Sequence, residues 1–174
     1  DVQALARSAD DVDYDFKILD AVMEINQSQK VKLIPKIQQF FNNDLQGKTI
    51  AVWGLAFKPY TDDIREAPSL VNIDELRKLG AKVKAYDPEA MENVKNLIGD
   101  KIQLCQDEYD AIEGADALLI MTEWPIFRTP DFERLAKSLK NKVIFDGRNL
   151  YEPNQMEELG FKYYSIGRRN INNG

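Results

Sequence analysis

Apolar residues in the first 45 positions recur at steps of three and four residues and at wider multiples, the spacing of one face of an α-helix. Pro35 lies within this stretch and is expected to kink the helix or to begin a second one. The polar residues 42–44 and Gly47 then predict a helix end and a turn. The chain therefore opens with a long helical segment, and its apolar stripe consists of Ile18, Val22, Ile25, Leu33, Ile37 and Phe41.

From Gly47 onward, short apolar runs alternate with amphipathic stretches. The runs predict strands at 49–53, 82–86, 102–105, 117–121, 142–145 and 163–166. The stretches between them predict helices at 69–79, 89–98, 109–113, 131–139 and 155–159. Continuous apolar strands alternating with helices indicate a mainly parallel sheet with helices on both faces. We therefore predict an α/β fold, a doubly wound sheet over about 47–168, and a frayed tail over 170–174.

Composition excludes several classes of protein. The 174 residues carry 23 Lys and Arg against 29 Asp and Glu, a net charge of −6, so the basic surface of a nucleic-acid-binding protein is not expected. No run approaches the roughly 18 apolar residues of a membrane span, and no signal-peptide pattern opens the chain. The single cysteine, Cys105, cannot form an internal disulfide, which is typical of a reducing compartment and predicts a cytoplasmic protein.

The absence of histidine from the sequence excludes two kinds of catalytic site. Neither a Ser-His-Asp triad nor a His-based zinc site can form within this chain. Cys105 follows a predicted strand, where a cysteine is more often a buried apolar residue than a nucleophile. Its commonest activating base is also missing. We therefore expect Cys105 to be chemically inert.

The first predicted strand leads into a long polar loop. Ligands of doubly wound sheets bind beyond the carboxyl ends of the strands. A loop of about ten residues, where two to six are usual, is often functional, and this one carries Lys58 and Arg65. Only Gly54 is present where a G-x-G-x-x-G dinucleotide motif needs three glycines. The alternative is a solvated loop in which Arg65 pairs with a neighbour such as Asp62.

A second cation follows a strand at the same expected edge of the sheet. Arg148 comes three residues after the strand predicted at 142–145. Lys58 and Arg148, converging on one crevice, could bind a phosphate or a sugar hydroxyl. The alternative is that Arg148 pairs with Asp146 or with a surface acid.

Several motifs, in this order, resemble the C-terminal half of the UDP-glucose 6-dehydrogenase family. They are GLAFKP (54–59), TDDIREAPS (61–69), YDP (86–88), TEWP (122–125), DGRNLY (146–151) and GFKYYSIGR (160–168). The resemblance covers essentially the whole chain. It implies central dimerisation helices over 1–46 and a Rossmann-like, UDP-sugar-binding domain over 47–174. It also implies a full-length NAD-dependent enzyme that oxidises UDP-glucose to UDP-glucuronate in two steps, through a cysteine thioester.

The same resemblance assigns roles to individual residues. Lys58 and Arg148 would contact the sugar nucleotide, and Arg65 would reach the NAD side of the cleft. Asp1 would match a catalytic aspartate that helps to activate water for thioester hydrolysis, a role that rests on the resemblance alone. The family's catalytic cysteine would lie upstream of Asp1 together with the NAD domain, and Cys105 does not match it. The 174-residue chain alone is then expected to be inactive.

Alternatives to this assignment remain open. Relatives that act on GDP-mannose or UDP-N-acetylmannosamine are similar, although residues 122–124 and 146–149 look more like the UDP-glucose branch. A stand-alone module that binds a nucleotide without chemistry is a further possibility. The apolar stripe of the N-terminal helix predicts a homodimer, with Gln29 on the stripe fixing the register. Otherwise the stripe packs on the sheet domain or on another domain.

Overall fold

The computed structural model describes residue 5 and residues 16–172. The chain divides into two compact units, residues 1–32 and residues 33–174. In the part of the chain that is described, no helix combines the length and the apolarity that a membrane crossing requires.

Helix α1 spans Lys17–Lys30 in the first unit, and none of its residues is buried. Its apolar stripe is exposed: Ile18 has 72% and Ile25 58% of its surface open to solvent. A helix of this length is only marginally stable on its own, so most helical stability comes from covering the apolar face. The exposed apolar face of α1 is therefore a candidate surface for pairing with another helix.

The second unit begins with helix α2, which spans Ile34–Phe40. Pro35 occupies its first turn, where a missing N–H breaks no helical hydrogen bond. The prediction that Pro35 begins a second helix is thus confirmed. Leu33 and Ile37 are buried, so this part of the apolar stripe belongs to the core.

Strands and helices alternate through the rest of the second unit. Their bounds are β1 Thr49–Trp53, α3 Pro68–Lys78, β2 Lys82–Tyr86, α4 Met91–Ile98, β3 Gln103–Leu104, α5 Glu108–Ile112, β4 Ala117–Ile120, α6 Pro125–Arg128, α7 Phe132–Ser138, β5 Val143–Asp146, α8 Pro153–Glu158 and β6 Lys162–Ser165. Every predicted strand and helix of this region is present, β1 and β2 with the predicted bounds and the others with bounds shifted by one or two residues. Helix α6 was not predicted.

The strands form one sheet in the order β3-β2-β1-β4-β5-β6. Every pair of neighbouring strands is parallel. Thr49 lies opposite Lys82, and Ile50 lies opposite Ala117. This is the doubly wound order: successive strands are added on one side of β1 up to β3 and on its other side from β4 onward. Ligands bind beyond the carboxyl ends of β1 and β4, the reversal point of this strand order. The predicted α/β fold is confirmed, and the sheet is parallel throughout.

The core lies around the central strands. All residues of β4 and β5, and four of the five in β1, are buried, because helices cover both faces of a parallel sheet. Trp53 is fully buried and stacks on Phe127, with ring centroids 5.1 Å apart. This cluster provides a rigid base for the loops at the carboxyl edge.

The predicted fraying of the C-terminal tail is wrong at Ile171. This residue is buried and forms an antiparallel bridge with Tyr163. The backbone N–H of Ile171 donates to the carbonyl of Tyr163 (2.8 Å), and that of Tyr163 donates in return (2.9 Å). Burial of the isoleucine side chain offsets the entropy of ordering the tail. Residues 173–174 lie outside the described part of the chain.

Candidate functional site

The loops that follow β1, β4 and β5 meet at the carboxyl edge of the sheet. The N–H of Met121 donates to the carbonyl of Trp53 (2.8 Å), and that of Gly147 donates to the carbonyl of Ile120 (2.9 Å). The strand ends are therefore in register, and the three loops leave the sheet side by side. Their shared crevice is the reversal point of the doubly wound order.

Gly54 allows the first and second of these loops to touch. Its φ is +92°, and a Cβ placed on it would lie 2.4 Å from Cβ of Thr122. The hydroxyl of Thr122 donates to the carbonyl of Ala56 (2.6 Å), and that of Ser69 donates to the carbonyl of Leu55 (2.6 Å). The single glycine thus serves close packing between two loops of the protein.

Asp87 follows β2 directly and is fully buried. Its Oδ2 accepts the N–H groups of Leu55 (2.7 Å) and Ala56 (3.0 Å) and the indole N–H of Trp124 (3.1 Å). Its Oδ1 accepts the N–H groups of Glu89 and Ala90, both at 2.9 Å. A buried carboxylate is costly unless it is hydrogen-bonded in this way. Asp87 thereby ties the loop after β1 to β2 and to the loop after β4.

Arg148 links the loops after β1, β4 and β5. Its Nε donates to the carbonyl of Met121 (2.8 Å) and lies 3.0 Å from Oε2 of Glu123. Its Nη2 donates to the carbonyl of Phe57 (3.0 Å), next to Lys58. The side chain is 29% exposed, so one guanidinium joins the three loops and still faces solvent.

Asp146 holds the backbone beneath Arg148. It is fully buried, and its two oxygens accept the N–H of Arg148 (2.8 Å), the N–H of Leu150 (2.7 Å) and the hydroxyl of Tyr163 (2.7 Å). Burial raises the pKa of Tyr163, and the charge of Asp146 raises it further. Tyr163 therefore stays protonated and continues to donate to the carboxylate.

Lys58 and Arg65 lie on the exposed part of the loop between β1 and α3. Lys58 is exposed, and the side chain of Arg65 is 87% exposed. The guanidinium of Arg65 donates twice to Asp63, from Nε (2.9 Å) and from Nη2 (2.8 Å). The hydrogen bond from Arg65 lowers the pKa of Asp63 to about 2. The local ion pair thus exists, but with Asp63; Asp62 accepts from Asn93.

The structure brings Arg148 against the loop that carries Lys58, as the strand-end argument predicts. The alternative, that Arg148 pairs with Asp146 or with a surface acid, is met by an ion pair with the part-exposed Glu123, whereas Asp146 accepts the backbone N–H of Arg148. Asp1 lies outside the described residues. Sequence reasoning missed the structural roles of Asp87 and Thr122. The signal available was a polar residue directly or closely following an apolar strand at this edge.

Cys105 is buried, with 5% of its surface exposed. Burial raises the pKa of its thiol to about 11, so the reactive thiolate is scarce at neutral pH. This environment supports the expectation that Cys105 is inert. Among residues 16–172, no three His, Cys, Asp or Glu side chains are grouped so that they could hold a metal ion.

A separate surface cavity of about 360 Å³ lies beside the edge strand β6. Its walls are formed by Gln39, Phe40, Lys162, Tyr164, Asn170 and Asn172. Neither Lys58, Arg65 nor Arg148 lines it. The position of the candidate site therefore follows from the strand-end loops and their cations.

An all-parallel sheet in this order, with cationic and buried acidic side chains at its reversal point, defines a Rossmann-like α/β domain. The model of the UDP-glucose/GDP-mannose dehydrogenase family, UDP binding domain, matches residues 51–153. The chain belongs to this family.

Curated relatives agree with this assignment. A UDP-glucose 6-dehydrogenase of Pseudomonas aeruginosa is 47% identical over 173 residues, covering 97% of this chain and 38% of that protein. One from Bacillus subtilis is 42% identical over 168 residues, covering 97% of this chain and 36% of that protein. The chain thus spans less than two fifths of the length of these relatives, and the match corresponds to their UDP-binding C-terminal domain.

Solved structures share the fold. A UDP-glucose dehydrogenase from Pyrobaculum islandicum superposes with a TM-score of 0.81 at 26% identity, covering 97% of this chain and 36% of that one. A UDP-D-ManNAc dehydrogenase from Pyrococcus horikoshii gives a TM-score of 0.72 at 28% identity, covering 92% of this chain and 36% of that one.

Proposed function

We propose that this chain is the sugar-nucleotide-binding half of an NAD-dependent UDP-glucose 6-dehydrogenase. The complete enzyme oxidises UDP-glucose to UDP-glucuronate in two steps through a cysteine thioester. The observation that carries the proposal is the 47% identity to a UDP-glucose 6-dehydrogenase across 97% of this chain. The crevice at the reversal point, with two cations on adjoining loops, supports it.

Lys58 and Arg148 bind the diphosphate and sugar in this proposal. The exposed ammonium of Lys58 supplies a point charge, whereas the guanidinium of Arg148 is held in place by two carbonyls and offers a planar donor set. Arg65 reaches towards the cofactor side of the cleft after leaving its surface pair with Asp63. Asp1, whose position the structure does not describe, helps to activate water for thioester hydrolysis.

The crevice of this domain does not fit NAD in the manner of a dinucleotide fold. That manner of binding needs free backbone N–H groups in the first loop, and those of Leu55 and Ala56 donate to Asp87. NAD, which supplies the hydride acceptor when bound, is therefore held mainly by another part of the enzyme. Arg65 is the residue of this chain that we assign to its side of the cleft.

The 174-residue chain by itself is inactive in this proposal. Thioester chemistry needs a reactive thiolate, and the thiol of Cys105 is buried with a raised pKa. NADH formation from UDP-glucose and NAD by the purified chain, followed by absorbance, would contradict this.

The functional assignment is tested by calorimetric titration of the chain with UDP and with GDP. We expect UDP to bind, and Lys58→Ala or Arg148→Ala to weaken binding by about 10-fold or more, because each removes a charge-assisted contact. Lys82→Ala is the matched control, since Lys82 is exposed at the amino end of β2; its affinity should equal that of the unchanged chain.

Two other results of this titration would count against the assignment. Preference for GDP would redirect it to enzymes that act on GDP-mannose. Binding of neither nucleotide, or equal loss in the Lys82 control, would contradict a sugar-nucleotide site at this crevice.

A further inference from the structure

We infer that Asp87 is a positioning residue of the sugar-nucleotide site. Its carboxylate occupies the backbone donors that would face a dinucleotide phosphate, and it thereby holds the loop that carries Lys58. The identity of the ligand, a nucleoside diphosphate sugar, rests on the proposed function. That the N–H groups of Leu55 and Ala56 are already hydrogen-bonded rests only on the contacts of Asp87.

Asp87 occupies the position after the second strand at which a dinucleotide-binding domain carries a ligand-binding carboxylate, but it binds the protein backbone instead. In such domains the first loop approaches the pyrophosphate with its N–H groups, and an acidic residue after the second strand binds a ribose hydroxyl. Asp87 also follows the second strand, β2, but its carboxylate points inward. Its Oδ2 accepts from Leu55, Ala56 and Trp124. The carboxylate thus takes the place of the anion that the loop would otherwise bind.

The rest of the loop backbone is also occupied by the protein. The N–H of Gly54 donates to the carbonyl of Tyr86 (2.9 Å), and that of Phe57 donates to the carbonyl of Asp63 (2.8 Å). From Gly54 to Phe57, each backbone N–H therefore has a partner within the chain. A phosphate entering here would have to break these bonds and approach a buried negative charge, and both steps are unfavourable.

Asp87 fixes the chain on both sides of Lys58. It binds the N–H of Ala56 directly, two residues before Lys58. Through its bond to the indole of Trp124 it also supports Tyr60, whose ring lies edge-on at 5.5 Å from that of Trp124. Because Lys58 itself is exposed, its position at this edge of the sheet is set by the backbone that these contacts hold.

The test is the variant Asp87→Asn. An amide keeps the size of the carboxylate but is neutral, so every N–H bonded to this group loses a charged acceptor. Its NH₂ also cannot accept a hydrogen bond, so one set of donors loses its acceptor altogether. We expect the Kd for UDP to rise about 10-fold or more, as for loss of hydrogen bonds to a charged group. Hydrogen exchange at Leu55 and Ala56 should accelerate by a similar factor.

Asp116→Asn is the matched control for this variant. Asp116 is buried and accepts the N–H of Thr49 (2.8 Å) at the opposite, amino edge of the sheet. Asn at this position weakens a hydrogen bond from a backbone N–H to a buried carboxylate, as at Asp87, but at the end of β1 that lies away from the crevice. We expect lower stability, a UDP affinity within about 2-fold of the unchanged chain, and unchanged exchange at Leu55 and Ala56.

Folded Asp87→Asn protein with unchanged UDP affinity and unchanged exchange would overturn the inference. If the unchanged chain does not bind UDP, the proposed function fails, but exchange at Leu55 and Ala56 still decides whether Asp87 holds the loop. If Asp87→Asn does not fold, Trp124→Phe removes a single donor to Asp87. It should weaken UDP binding by roughly 3-fold or more, and an unchanged affinity in that variant would likewise overturn the inference.

Discussion

Arg65 and Asp63 form a two-bond ion pair on the loop between β1 and α3. Oδ1 of Asp63 also accepts the backbone N–H of Arg65 (2.9 Å), so the pair closes a local turn. An ion pair this exposed contributes little to stability. Arg65 can therefore exchange Asp63 for an anionic ligand at small cost, which is consistent with its proposed contact on the cofactor side.

The ion pair predicts how the ionisation of Asp63 depends on pH. Arg65 lowers the folded-state pKa of Asp63 to about 2 from an ordinary 3.8. Because the folded pKa lies below the unfolded one, the pairing contributes above pH 3.8 and is lost as pH falls through about 2. We expect Arg65→Gln to return the pKa of Asp63 towards 3.8, measured by NMR titration of its carboxyl carbon. Arg128→Gln, at another exposed arginine, should leave it at about 2.

At the scale of elements, the site depends on how closely the loops that follow β1 and β4 approach each other. These strands pair in register from Ile50 opposite Ala117 to Trp53 opposite Ile120. The next residue of the first loop, Gly54, then lies against Thr122. The backbone of this junction has a positive φ and no room for a Cβ, so both its conformation and its packing require glycine.

Gly54→Ala is therefore expected to destabilise the domain severely. The added Cβ would lie 2.4 Å from Cβ of Thr122, at a φ of +92°. Overpacking and backbone strain together should cost about 3 kcal/mol or more. Gly160→Ala is the matched control: it follows α8 with a φ of +76°, but nothing lies within 4 Å of the added Cβ, so only the strain of about 1 kcal/mol remains. Equal losses in urea unfolding would contradict the packing argument.

At the scale of the whole molecule, the exposed face of α1 concerns assembly. Ile18, Val22 and Ile25 lie on one side of the helix and are exposed, and Gln29 continues their line. The spacing is that of a helix seam, in which a polar residue can fix the register of two helices. We propose that two copies of the chain pair along this face.

The variant Ile25→Asp tests the pairing. A charge on the seam would be buried in the dimer, so we expect the dimer to dissociate into monomers in light scattering at micromolar concentration. Gln27→Asp introduces the same charge on the opposite side of α1 and should leave the dimer intact. A monomer in the unchanged chain at high concentration would contradict pairing altogether.

Local patterns predicted the elements well because hydrophobic periodicity is a property of neighbouring residues. The bounds of β1 and β2 are as predicted, and Pro35 lies in the first turn of α2. Helix α6 is too short to show a period, and it begins at Pro125 in a loop. Ile171 is ordered by its bridge to Tyr163, a contact that no local pattern contains.

By itself, the sequence determined the parallel α/β order, the edge of the sheet where a ligand would bind, and three cations, Lys58, Arg65 and Arg148, as candidates. The tertiary structure decided their partners. Asp87 meets Leu55 across 32 residues, and Arg148 meets Phe57 across 91. Which donor finds which acceptor depends on strand order and loop packing, because parallel strands bring distant loops to one edge. Only the folded chain therefore shows that the loop after β1 binds the carboxylate of Asp87, which follows β2.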